Sequence, residues 1–291
     1  KTPCLFDGAM GTELAAAGLE MGGQSNLRHP DEVLRIHQAY SQIGCDFLIT
    51  NTLTMNRIYI ETHKVGVDVS EVNLVGVKLA KAAATCGQYV LGDISSTGKM
   101  LEPYGEYTEA QFHETFKEQA QYLAEGGVDG FIVETMFDLR EAICAVRACR
   151  AVAPLPVVAC LAFHTPERGG RTIMGNTAAD SAKALVEAGA CAVGANCGQL
   201  SPREMAIVVA RMREVASVPI VAQPNAGTPQ VVEGRTAFLM QPIDFADGIV
   251  RCLDSGASAV GGCCGTTPEH IRCVAQVIEK RRSNQGNQPI P

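Results

Sequence analysis

Short apolar runs rich in Val, Ile, Ala and Phe recur along the chain, each followed by a longer stretch whose apolar residues return every three or four positions. The short runs read as strands buried on both faces and the longer stretches as helices with one apolar side. Strands are expected over 3–7, 46–51, 89–94, 130–135, 156–163, 192–197, 219–224 and 259–264. Helices are expected over 31–43, 70–85, 108–125, 138–152, 177–188, 202–215, 244–254 and 268–282. Their starts are signed. Ser201-Pro202-Arg203-Glu204 combines a capping serine, a proline at the first helical position and a glutamate that completes a capping box. Met205, Val208, Val209, Met212 and Val215 then mark the buried side. Thr267-Pro268 opens the last helix in the same way, while Asp138 with Glu141 and Thr108 with Gln111 repeat the capping pair.

Helix ends repeat too. Gly44-Cys45-Asp46-Phe47, Gly127-Val128-Asp129-Gly130, Gly189-Ala190-Cys191-Ala192 and Gly256-Ala257-Ser258-Ala259 each place a glycine after a helix and lead directly into a strand. Eight strand–helix units in 291 residues predict a single eight-stranded parallel α/β barrel of the TIM type. Its interior is packed, and its chemistry lies at the carboxyl ends of the strands. A doubly wound open sheet is the alternative, but Asp7-Gly8-Ala9-Met10-Gly11-Thr12 lacks the glycine spacing of a dinucleotide-binding turn. The barrel is expected over 1–282, with 283–291 as a flexible tail or linker.

The strand ends that face the barrel mouth read Asp7, Asn51, Asp93, Glu134, His164, Cys197, Asn225 and the pair Cys263-Cys264. Carboxylates gather on one side and thiols on the other. Three thiols suit zinc with one position open, since structural zinc fills all four positions with protein and catalytic zinc keeps one free. Neighbouring residues of a regular strand point to opposite faces, so Cys263 and Cys264 can share an ion only where the backbone kinks. Gly261, Gly262 and Gly265 are expected to supply that freedom. Asn225 lies on the strand between the thiols, placing its amide oxygen near the open position. The other nine cysteines, Cys4, Cys45, Cys86, Cys144, Cys149, Cys160, Cys191, Cys252 and Cys273, read as core.

A net charge of -7 offers no basic patch for nucleic acid or an anionic membrane, which leaves a small-molecule partner. No apolar run reaches the roughly 18 residues a membrane helix needs. Twelve cysteines without a repeated spacing point to thiols in a reducing, cytoplasmic setting rather than a disulfide framework. A vicinal-dithiol redox protein and a non-catalytic docking barrel are the competing classes.

Asp7-Gly8-Ala9-Met10-Gly11-Thr12, Gly194-Ala195-Asn196-Cys197 and Gly261-Gly262-Cys263-Cys264-Gly265 together resemble the zinc-dependent homocysteine S-methyltransferases. That family includes the homocysteine-binding module of cobalamin-dependent methionine synthase, betaine–homocysteine methyltransferase and enzymes that use S-methylmethionine. Glu134-Thr135, Gly170-Arg171-Thr172 with Gly175, and Pro224-Asn225-Ala226-Gly227 extend the likeness over the whole barrel; the last segment looks most like the methionine-synthase branch. The resemblance implies that Cys197, Cys263 and Cys264 hold Zn2+ as the catalytic set. The homocysteine sulfur becomes the fourth ligand and receives a methyl group, giving methionine. It further implies that Asp7 and Glu134 take the substrate ammonium, that N–H groups around Gly8, Ala9 and Met10 cradle its carboxylate, and that Asn225 is among the substrate-binding residues. By position at the mouth, Asn51 and Asp93 read as groups that orient these, and His164 as a hydrogen-bonding or loop residue rather than a metal ligand; Arg171 reads as a surface charge, as a hold on the loop over the site, or as the ion-pair partner Glu134 would have in place of the substrate.

The donor implied is methylcobalamin held on a corrinoid protein or domain, because none of the 6 histidines lies in the Asp-x-His-x-x-Gly pattern of cobalamin modules. S-methylmethionine is the alternative donor. Betaine is disfavoured, since quaternary ammonium groups favour aromatic cages with Trp and the chain has 0 Trp.

Overall fold

The computed structural model describes residues 2–232 and 235–286. Its central sheet has eight parallel strands: β1 (Cys4–Leu5), β2 (Phe47–Ile49), β3 (Tyr89–Ile94), β4 (Gly130–Met136), β5 (Val157–Leu161), β6 (Ala192–Asn196), β7 (Ile220–Gln223) and, after a small hairpin of β8 (Gln230–Val232) and β9 (Arg235–Ala237), β10 (Ala259–Val260). The spatial order β1-β10-β7-β6-β5-β4-β3-β2 follows the chain around a ring. A parallel bridge between Phe6 and Phe47 closes it, with Asp46 N–H donating to Leu5 O at 2.7 Å and Asp7 N–H to Phe47 O at 3.1 Å. The eight-stranded barrel is therefore as the pattern predicts.

Alternation along the strands separates two cores. Phe6, Leu91, Ile132, Val158, Cys160, Ala192, Val221 and Ala259 fill the barrel interior. Their neighbours Leu5, Val90, Phe131, Val133, Ala159, Val193, Ala222 and Val260 face outward into the layer beneath the helices. That layer is covered by the eight expected helices: α3 (Pro30–Ile43), α5 (Val69–Ala83), α6 (Glu109–Glu125), α7 (Leu139–Val152), α8 (Ala178–Ala188), α9 (Pro202–Arg213), α10 (Pro242–Asp254) and α11 (Pro268–Gly286). Three short helices, α1 (Gly11–Ala16), α2 (Ser25–Arg28) and α4 (Arg57–His63), lie in the first two connections and, like the hairpin, have no long-period signal in the sequence.

Two of the expected caps form in full. Thr108 and Ser201 form complete capping boxes with Gln111 and Glu204. Asp138 caps Arg140 N–H, but Glu141 does not return to it. Glu141 is instead buried and accepts from Ser96 Oγ at 2.9 Å, Thr97 N–H at 2.7 Å and Thr97 Oγ1 at 2.8 Å, holding the loop after β3. Of the cysteines read as core, Cys45, Cys144, Cys149, Cys160 and Cys252 are buried, whereas Cys86 and Cys191 are exposed in the turns that precede β3 and β6. The tail expected from 283 is helical through 286, because no Gly or Pro interrupts α11 before Gly286; residues 287–291 lie outside the described residues. No described helix is long and apolar enough to cross a membrane.

His37, on α3, is fully buried, and neither ring nitrogen has a protein partner. Burial lowers its pKa to about 4. An unfolded histidine titrates near 6.5, so the unfolded chain takes up a proton first as pH falls. The stability from a neutral His37 is therefore complete above about pH 6.5 and is lost as pH falls toward 4. At pH 5 the loss is roughly 2 kcal/mol, at about 1.4 kcal/mol per pKa unit. Denaturation of His37→Leu at pH 7.5 and pH 5 should show a smaller pH-dependent loss than wild type; equal losses would rule this residue out as the cause.

Candidate functional site

β6 ends at Asn196, and Cys197 follows in a left-handed conformation, φ 53°, with its N–H held by Gln223 O at 3.1 Å. That strained turn brings the Cys197 sulfur into the mouth. Cys263 and Cys264 lie beyond β10, which ends at Val260 rather than at the expected 264. Cys263 N–H donates to Pro224 O at 2.9 Å, Ala226 N–H to Cys264 O at 2.9 Å, and Thr266 Oγ1 to Cys263 O at 2.7 Å. The three sulfurs lie within 4.8 Å of one another, with Cys197 and Cys264 3.9 Å apart.

Of the three glycines expected to supply the kink, Gly265 is left-handed at φ 77°. Gly261 and Gly262 are not left-handed and serve close approach. A Cβ on Gly261 would fall 2.6 Å from Phe6 Cβ, and one on Gly262 2.5 Å from Thr266 Oγ1. The thiols share charge unequally. S–H donation from Cys263 and Cys264 holds Cys197 well below the usual thiol range, while Cys263 is raised and Cys264 is pushed up to about 12, first by their hydrogen bonds to Cys197.

Three buried acids face this cluster across the mouth. Asp7 accepts from Ile49 N–H at 2.8 Å through one oxygen, and the other has no partner. One Asp93 oxygen is likewise unpartnered. Burial raises the pKa of both, with repulsion from Glu134 adding to it. Glu134 is raised to about 8, first by burial and then by the charge on Cys197. No ion pair among the described residues involves any of the three. Arg171 does not pair with Glu134; its guanidinium donates to Gly175 O at 2.8 Å. This group of acids lacks a cation.

The residue that joins acids to thiols is Asn196. Its Nδ2 donates to Glu134 Oε2 at 3.0 Å and Thr135 Oγ1 at 2.8 Å and reaches Cys263 Sγ at 3.8 Å, while its Oδ1 accepts Thr135 N–H at 2.7 Å. The spacing of Ala192, Gly194 and Asn196 along β6 signals this inward position, although Cys197 is the more conspicuous residue. Asn225 is buried, donates to Gly198 O at 2.9 Å and leaves its Oδ1 unpartnered.

Other expected residues are placed differently. Ala9 N–H is already donated to Thr266 Oγ1 at 3.0 Å, so of Gly8, Ala9 and Met10 it is not free to cradle a carboxylate. Asn51 bonds Asn26 and Gly22 and braces the α2 segment. His164 is exposed. A cavity of about 740 Å³ at the opposite end of the barrel, lined by Phe6, Phe47, Tyr89, Val158 and Val221, holds none of the three thiols or the mouth acids.

The homocysteine S-methyltransferase family matches residues 4–278. Methionine synthase of Mycobacterium leprae is 29% identical over 304 residues, covering 97% of this chain and 25% of the relative. That of Mycobacterium tuberculosis is 30% identical over 293 residues, covering 94% and 24%. The chain thus spans about a quarter of the length of these curated relatives. The metallated homocysteine methyltransferase MmuM of Escherichia coli superposes with a TM-score of 0.77 at 20% identity, covering 95% of this chain and 96% of that one. A carboxyl transferase domain of Rhizobium etli pyruvate carboxylase shares the fold more distantly, with a TM-score of 0.54 at 15% identity over 97% of this chain and 47% of its own. With a match over nearly its whole barrel, the chain belongs to the homocysteine S-methyltransferase family.

Proposed function

We propose that the barrel transfers a methyl group to the thiol of homocysteine, giving methionine, with Cys197, Cys263 and Cys264 holding a zinc ion. The observation that carries this reading is the three sulfurs within 4.8 Å at the barrel mouth, opposite three buried acids. The donor set fits zinc: three thiols within 4.8 Å of one another supply three of the four ligands that zinc takes, and an unpartnered Asn225 oxygen is buried alongside. Bound there, zinc would stabilise thiolate, the nucleophilic form of a group whose free pKa is near 8.5.

The protein's own residues then place the rest of the substrate. Glu134 and Asp7 take the ammonium, which supplies the missing cation and returns both acids to their charged form. The Gly8 and Met10 N–H groups are left to meet the carboxylate, since Ala9 is engaged. The thiol proton leaves to solvent when homocysteine binds; the thiolate then forms the new sulfur–carbon bond, and the donor keeps the electron pair of its broken bond to the methyl group. A methylcorrinoid carried on another protein or domain is the donor, supported by about 30% identity to methionine synthases along essentially the whole chain.

Three measurements test this. Purified protein should carry one zinc; Cys197→Ser, Cys263→Ser and Cys264→Ser should each lose most of it, and the exposed Cys86→Ser should not. Full zinc in Cys263→Ser would end the metal assignment. Homocysteine should release at least one proton on binding at neutral pH, read by calorimetry in buffers of different ionisation enthalpy. Glu134→Gln should weaken that binding about tenfold or more while leaving zinc in place. Methionine should form from homocysteine with methylcobalamin and not with betaine; turnover with S-methylmethionine alone would replace the corrinoid as donor.

A further inference from the structure

Asn196 is fully buried at the last position of β6 and touches both functional groups through one amide. Its Nδ2 carries two hydrogens but has three acceptors within reach, Glu134 Oε2, Thr135 Oγ1 and Cys263 Sγ. Its oxygen takes the N–H of Thr135, whose φ of 56° is left-handed and disfavoured for a β-branched residue. The amide therefore pins the backbone just after Glu134 as well as the carboxylate itself. Glu134 cannot swing toward or away from the sulfur cluster without breaking these bonds.

We propose that Asn196 is a positioning residue that sets the separation between the ammonium site at Glu134 and the sulfur site at Cys263, and thereby the length of thiol amino acid accepted. This rests on the reading of Glu134 as the ammonium acceptor and Cys263 as a sulfur ligand. A thiol amino acid gripped at both ends is measured by that gap, so cysteine, one methylene shorter than homocysteine, cannot satisfy both. A fixed gap discriminates one methylene by roughly 10- to 200-fold. A loosened one does not.

The test titrates homocysteine and cysteine by calorimetry into the zinc-loaded protein as wild type, Asn196→Ala, Asn196→Asp, Glu134→Gln and the Asn196→Ala/Glu134→Gln double variant, with zinc content measured on each. Asn196→Ala is expected to keep its zinc, weaken homocysteine about tenfold, change cysteine little, and so reduce discrimination at least fivefold. Asn196→Asp keeps the oxygen that Thr135 N–H needs but loses the amide donor. It should show the same loss of discrimination, and it decides the matter if the alanine variant does not fold. In the Glu134→Gln background the Asn196→Ala change should cost less than threefold, because its effect passes through the carboxylate. Equal weakening of both thiols, unchanged homocysteine affinity, or full additivity in the double variant would overturn the proposal. Unchanged homocysteine affinity in Glu134→Gln alone would overturn the ammonium assignment, and this inference with it.

Discussion

A closed barrel of parallel strands gives each strand only every second side chain to the interior, and the site is organised around that limit. On β6 the inward sequence Ala192, Gly194, Asn196 leaves Cys197 on the wrong parity. Its sulfur reaches the mouth by a left-handed backbone, one of four non-glycine residues with positive φ among those described. The adjacent Cys263 and Cys264 meet the same limit differently. β10 stops at Val260, and both cysteines sit in the turn beyond it, packed closely enough that Gly261 and Gly262 admit no side chain.

The second organising feature is unbalanced charge in a dry place. Three acids and three thiols share the mouth without a basic side chain paired to the acids among the described residues. Burial keeps Asp7, Asp93 and Glu134 protonated more readily than usual, with repulsion from Glu134 adding to it at the two aspartates and from Cys197 at Glu134, and the thiols retain protons through Cys263 and Cys264. Such a site is complementary to positive charge at both ends: a metal dication at the sulfurs and an ammonium at the acids. The proposed substrate, an amino acid ending in a thiol, would present the second and complete the first.

The barrel was legible because its signals are local. Buried strands, capping serines and threonines, and glycines at helix ends lie within a few residues of the elements they define, and all eight principal helices follow them. The short helices α1, α2 and α4 and the β8–β9 hairpin are too brief to show a period, and packing decides them. The thiols were legible by type and strand position. The roles of Asn196, Ala9 and Glu141 were not, since each depends on a partner far away in sequence: Glu134, Thr266 and Thr97 respectively. Asn51 is alike, a strand-end residue whose partner, Asn26, lies 25 positions earlier in the chain.

The seam between the two ends of the chain runs through the site. Ala9 N–H is held by Thr266 across 257 positions, Gly265 N–H by Thr12 across 253, and Gly262 N–H by Asp7 O. Loop-closure entropy makes such contacts among the last to form. While the chain is being synthesised, Asp7 and Cys197 emerge long before the cysteine pair that completes the cluster. A nascent or truncated chain can therefore build most of the barrel wall and still expose single, unshared thiols. The cluster of three sulfurs is in effect a reading of barrel completeness, closed only once β10 has been laid against β1.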